Sequence, residues 1–218
     1  MSKIIEPSLL AFDSASIKSQ LLAVKQLGTT YIHYDVMDGK FVPNKSFGTE
    51  HLPLINELGL KANVHLMVKK PLTFIKDFIN YPLNSIVFHP EGVCKWQTAI
   101  ICRYLSKHHI PYGLAIHPYS DPDRYQAILK TCDYVLVMGV IPGKGGQAFI
   151  PQTIANLIKV KKIKTDFNPK LIIQLDGGVN DQIMQQTANY VDHFIIGTFL
   201  MHNPQNMPNV FNLAKQLS

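Results

Sequence analysis

In the run His33-Tyr34-Asp35-Val36-Met37-Asp38-Gly39, alternation along an extended chain sends His33, Asp35 and Met37 to one face and Tyr34, Val36 and Asp38 to the other. An imidazole and a carboxylate facing a protein interior are costly unless paired or metal-bound, so the two mark either a structural couple or a functional centre. Asp38 has the opposite parity and precedes Gly39, which suits a residue that orders the following loop. The pattern returns in Asn63-Val64-His65-Leu66-Met67, where His65 and Met67 share a face, and in Gln174-Leu175-Asp176-Gly177-Gly178. Two histidines and two aspartates brought together from three strand ends favour a site over a structural pair. Imidazole with carboxylate suits one borderline divalent ion such as zinc, iron(II), manganese or cobalt, and disfavours calcium, which takes oxygen ligands.

Glycine supplies a second constellation. Gly143, Gly145 and Gly146 lie within Pro142-Gly143-Lys144-Gly145-Gly146-Gln147, Gly177-Gly178 follow Asp176, and Gly197-Thr198 come later. Glycine-rich turns expose backbone N–H groups that can cradle phosphate. Each of these turns alone has an ordinary explanation, but three at one rim point to a phosphorylated ligand.

Elements that would hold both sets in place alternate regularly. Short β-branched or aromatic runs at Ile4–Leu10, Tyr31–Met37, Ala62–Val68, Ser85–His89, Tyr112–His117, Tyr134–Val140, Leu171–Asp176 and His193–Gly197 read as strands. Between them lie segments of helical period such as Ile17/Leu21/Val24 and Ile154/Leu157/Ile158. Eight strand–helix units in 218 residues predict a parallel (β/α)₈ TIM barrel spanning residues 1–218 as one catalytic domain, with a doubly wound open sheet as the runner-up. Loops after the strands of such a barrel commonly bind phosphate.

Composition excludes several classes. A hydrophobic fraction of 46% supports one sizeable core. The net charge of +6 comes from dispersed lysines, apart from Lys159, Lys161, Lys162 and Lys164, which read as a solvated helix face rather than a nucleic-acid footprint. No apolar run approaches the roughly 18 residues of a membrane span, and the one at Met1–Pro7 is too short for a signal peptide. Cys94, Cys102 and Cys132 are odd in number and include no C-x-x-C pair, which favours a reducing, cytoplasmic setting without a disulfide framework.

Pro7-Ser8-Leu9-Leu10, the stretch His33 through Asn44, His65-Leu66-Met67-Val68, Pro142 through Gln147 and Asp176-Gly177-Gly178 together resemble the ribulose-phosphate 3-epimerases, in that family's order. The resemblance implies a (β/α)₈ barrel interconverting D-ribulose 5-phosphate and D-xylulose 5-phosphate in the pentose phosphate pathway, with one divalent metal and a homo-oligomeric assembly. It implies that His33, Asp35, His65 and Asp176 ligate the metal and that Asp35 and Asp176 are the paired acid–base carboxylates. It also implies that Ser8 and His65 contact substrate, that Met37, Met67 and Met138 line the reaction chamber, and that Gly143, Gly145, Gly146, Gly177, Gly178, Gly197 and Thr198 hold the sugar phosphate. Methionines also fill ordinary core gaps.

Five positions depart from the family's pattern: Gly139, Ile141, Lys144, His117 and Phe199. Three of them, Gly139, His117 and Phe199, motivate a six-carbon alternative, D-allulose 6-phosphate. The altered glycine loop motivates a non-catalytic sugar-phosphate-binding barrel. Carbon–carbon or decarboxylation chemistry is disfavoured, because it gives two histidines and two aspartates no evident task.

Overall fold

The computed structural model describes residues 2–217. Eight strands, β1 (Ile4–Pro7), β2 (Tyr31–Met37), β3 (Lys61–Met67), β4 (Leu83–Phe88), β5 (Tyr112–Ile116), β6 (Tyr134–Met138), β7 (Ile172–Asp176) and β8 (His193–Ile196), alternate with helical segments. All pairings are parallel, in the spatial order β1-β8-β7-β6-β5-β4-β3-β2. A bridge between Ser8 and His33 brings β1 against β2 and completes the (β/α)₈ barrel. The open-sheet alternative is thereby removed.

Apolar side chains fill two regions. Val87, Ala115, Leu136, Met138 and Ile195 pack inside the barrel, while Ile32, Tyr34, Val64 and Phe194 face outward into the layer beneath the helices. Helix Ile17–Gln26 lays Ile17, Leu21 and Val24 on that layer, as its periodicity requires. Helix Thr153–Phe167 is rotated from the expected face. It buries Thr153, Asn156, Leu157, Val160 and Ile163, whereas Ile158 is 48% exposed, because one residue past Leu157 is about 100° further round the helix.

Two strands stop earlier than their composition suggests. β1 ends at Pro7, since Leu9–Ala11 winds into a 3-10 turn closed by Ala11 N–H on the Ser8 carbonyl. β6 ends at Met138, because the Gly139 carbonyl turns away to accept the Ile150 N–H at 2.8 Å. Both departures put residues from strand-like runs onto the rim.

Three of the four lysines of the Thr153–Phe167 helix, all but Lys161, are spent on local ion pairs. Lys159 meets Asp121 at 2.8 Å and Asp123 at 3.1 Å, Lys162 meets Asp166 at 2.7 Å, and Lys164 meets Asp192 at 2.7 Å. Such a paired face is a poor footprint for a polyanion. Among the described residues, no helix is long and apolar enough to cross a membrane.

Candidate active site

Parallel register sets Asp35 beside His65 and Met37 beside Met67 on β2 and β3, and Met138 beside Asp176 on β6 and β7. One ligand atom from each of His33, Asp35, His65 and Asp176 falls within 4.8 Å of all the others. The expected set therefore converges. His33 Nε2 is 3.2 Å from Asp35 Oδ1 and 3.8 Å from Asp176 Oδ2, and His65 Nδ1 is 3.1 Å and 3.9 Å from the same two oxygens.

Each carboxylate oxygen has its own environment. Ser8 Oγ donates to Asp35 Oδ2 at 2.8 Å, leaving Oδ1 to face both imidazoles. Ser46 Oγ donates to the Asp35 carbonyl at 2.6 Å and accepts the Met37 N–H at 2.9 Å, fixing the end of β2. Asp38, as its parity implies, stays outside the cluster and accepts backbone N–H groups from Lys40, Phe41 and Lys69.

The donor set fits a cation. His33 is fully buried and, among the described residues, neither ring nitrogen has a hydrogen-bond partner, with Nε2 aimed into the cluster. Buried imidazoles are normally satisfied, so an orphaned nitrogen facing two carboxylates is what a metal ligand would look like. Burial drives His65 down to about 3, despite its contact with Asp35, so the ring stays neutral and keeps one nitrogen lone pair. For His33 burial also opposes charge, but Asp35, Asp176 and Glu6 outweigh it and lift the group to about 9.

The two aspartates are pushed apart. Burial works against ionisation of both. At Asp35, His33 and His65 overcome it and hold the carboxyl well below the ordinary range. At Asp176, burial, with Asp35 and Glu6 nearby, outweighs His33 and raises the carboxyl to about 7. One carboxylate that keeps its charge thus lies beside one that takes a proton near neutrality.

Above the cluster lies a cavity of about 390 Å³, within the range of small-molecule sites. Ser8, Asp35, Met67, Met138, Asp176 and Ile195 lie on its inner side, and Gly143, Gly145, Gly146, Gly177, Gly178, Gly197 and Thr198 on its rim. Met37 does not border it and instead packs with Met67, Val42 and Phe41. Asn44 Nδ2 donates to the Gly143 carbonyl at 2.7 Å, and Gln147 Nε2 donates to the carbonyls of Ile141 and Lys144, so the glycine loop is held at both ends.

Gly178 sits at φ +68°, and a methyl group there would lie 2.6 Å from the Phe149 nitrogen and 2.7 Å from its Cα. Gly178→Ala is expected to cost about 1–3 kcal/mol through backbone strain and overpacking, lowering Tm by several degrees in a circular-dichroism melt. A variant melting with the parent chain would show that the rim tolerates the methyl.

The five departures fall in different places. Lys144 and Phe199 border the cavity; Gly139, Ile141 and His117 do not. Gly139 is set by close approach, since a Cβ there would lie 2.2 Å from the Gly177 carbonyl oxygen and 2.9 Å from the Phe149 ring. Glu6 and His89 lie outside the expected set, though the alternation that turns His33 inward applies to them too. Glu6 is fully buried below the cluster, taking His193 Nδ1 at 2.6 Å and Gln174 Nε2 at 2.8 Å, with Oε2 4.0 Å from His33 Nδ1.

Comparison with known proteins agrees with this geometry. Residues 4–201 match the model of the ribulose-phosphate 3 epimerase family. A ribulose-phosphate 3-epimerase of Serratia marcescens is 31% identical over 204 residues, covering 92% of this chain and 96% of that protein. One from Aquifex aeolicus is 33% identical over 198 residues, covering 90% and 88%. A tryptophan synthase alpha-subunit from Pyrococcus furiosus superposes with a TM-score of 0.67 at 13% identity, covering 99% of this chain and 95% of that one, a likeness of fold alone. The chain belongs to the ribulose-phosphate 3-epimerase family, a family of isomerases.

Proposed function

We propose that this chain inverts C3 of a ketose phosphate, interconverting D-ribulose 5-phosphate and D-xylulose 5-phosphate in the pentose phosphate pathway. The observation that carries the proposal is that Asp35 and Asp176 converge with His33 and His65 and line the floor of a glycine-rimmed cavity. Inversion next to a carbonyl needs a base on one face of the carbon and an acid on the other. Asp35 and Asp176 take these roles and exchange them with reaction direction. His33, Asp35, His65 and Asp176 would hold one divalent ion, zinc, iron(II), manganese or cobalt. Bound there, such an ion would supply Lewis acidity to the carbonyl next to the reacting carbon.

Other residues position and protect. Ser8, by donating to Asp35 Oδ2, keeps that carboxylate turned toward C3 and is itself placed to contact substrate. Gly143, Gly145, Gly146, Gly177, Gly178, Gly197 and Thr198 offer backbone and hydroxyl groups to the phosphate, which sets C3 between the aspartates. Met67 and Met138 keep the chamber dry, with Met37 packed behind Met67. A cytoplasmic setting goes with this reading: burial pushes the Cys102 and Cys132 thiols up to about 11 and 12, where they are inert.

A five-carbon sugar is favoured over D-allulose 6-phosphate, because two of the three positions that motivate the larger sugar, Gly139 and His117, do not line the cavity. Metal-stripped protein re-supplied with each ion should turn over D-ribulose 5-phosphate with a kcat/KM at least about tenfold above that for the six-carbon sugar, the scale of one pocket-sized group. The reverse preference would replace the substrate. Sugar-phosphate binding without turnover in any ion would make the chain a binding barrel.

A further inference from the structure

Behind His65 runs a line of side chains that leads away from the substrate. His65 turns Nδ1 toward the cluster and Nε2 the other way, 2.9 Å from Nε2 of His89. His89, 2% exposed, follows the last residue of β4 and lies against Phe41, ring centroids 5.1 Å apart. The 3-10 turn Pro90–Gly92 then brings Glu91 back, so that its Oε2 is 3.5 Å from His89 Nδ1. Glu91 is anchored from its far side, where Oε1 accepts the His117 N–H at 3.0 Å.

With a cation on Nδ1 of His65, these distances fix where the hydrogens sit. Two imidazole nitrogens in contact must be one donor and one acceptor. An imidazole that gives its Nδ1 lone pair to a cation carries its hydrogen on Nε2, so His65 is the donor and His89 Nε2 the acceptor. His89 must then carry its own hydrogen on Nδ1, which is the nitrogen that faces the Glu91 carboxylate. At 3.5 Å, and without hydrogen-bond geometry, the contact between His89 Nδ1 and Glu91 is an electrostatic one.

We propose that His89 and Glu91 are positioning residues that lock His65 in the Nε2–H tautomer and hold its Nδ1 toward the metal site. The inference rests on the metal-site reading above. It extends the familiar arrangement, a carboxylate behind a metal-bound imidazole, by one interposed imidazole.

Zinc affinity, measured by competition with a chromophoric chelator, tests it without reference to turnover. His89→Phe removes the acceptor and should weaken zinc binding by about ten- to a hundred-fold, the usual scale for such a partner. His89→Gln offers an amide oxygen to the same N–H and should stay within a few-fold of the parent chain. In the zinc-loaded parent, ¹⁵N shifts should place the His65 hydrogen on Nε2. His89→Phe within twofold of the parent, equal losses in both variants, or the hydrogen on Nδ1 would overturn the proposal. Should His89→Phe fail to fold, Glu91→Ala, at a side chain 23% exposed, decides on the same scale: weaker zinc binding supports the relay and unchanged binding overturns it. A parent chain that binds no zinc, iron(II), manganese or cobalt would instead remove the metal site itself.

Discussion

Asp176→Asn is expected to lower kcat for interconversion of the two five-carbon sugars by roughly 10²–10⁴-fold, the scale of a positioned acid or base. Its carboxyl is raised to about 7 at the floor of the cavity, with a side chain 16% exposed and so more accessible than that of Asp35 at 5%. An amide keeps the shape but neither carries a transferable proton nor accepts one at neutral pH. Because inversion needs both faces, loss of one group stops interconversion yet leaves the other able to remove a proton. Solvent deuterium should therefore still enter C3 of one of the two sugars and not the other. Measured at full metal loading, undiminished interconversion would remove Asp176 from the chemistry.

Stripping divalent ions should lower turnover by about 10³-fold or more, since Lewis-acid stabilisation is worth several kcal/mol and each 1.36 kcal/mol is tenfold in rate. The proton inventory of the cluster adds a pH signature. His33, lifted to about 9, and Asp176, raised to about 7, hold protons that a cation must displace, whereas His65, at about 3, holds none. Metal affinity should rise about tenfold per pH unit between pH 7 and 9, and more steeply below 7, where two protons leave. The metal-free protein should behave oppositely. A group whose folded pKa lies above its unfolded value stabilises the fold below the unfolded value and loses that effect as pH rises through the folded one. His33 spans 6.5 to about 9, so the metal-free Tm should fall over that window, and saturating zinc should abolish the trend. Titration calorimetry and melts at several pH values read both effects; a flat affinity profile would mean that no proton is displaced.

Much of this centre is legible from alternation, and the part that is not has a physical reason. Parity along β2 is a local property, so His33, Asp35 and the outward Asp38 could be placed without knowing any neighbour. Depth along the barrel is not local, because it depends on register and stagger among strands. Asn63 pairs with His33 and His65 with Asp35, while Ser8 pairs with His33 yet reaches Asp35 through its hydroxyl, and only the pairing of β1, β2 and β3 reveals it. Strand ends are equally non-local: Leu9 and Val140 suit a strand by composition, yet the chain bends where the Ser8 and Gly139 carbonyls find partners in the loops. Gly139 reads as a substrate-facing departure in sequence, but the Gly177 carbonyl and Phe149 ring account for it.

The most direct measurement follows C3 itself. Metal-loaded protein, incubated with D-ribulose 5-phosphate in deuterium oxide and observed by proton NMR, should form D-xylulose 5-phosphate with deuterium at C3 and nowhere else. Product that keeps its original C3 hydrogen, or no exchange and no product while the metal is bound, would contradict proton transfer at this site.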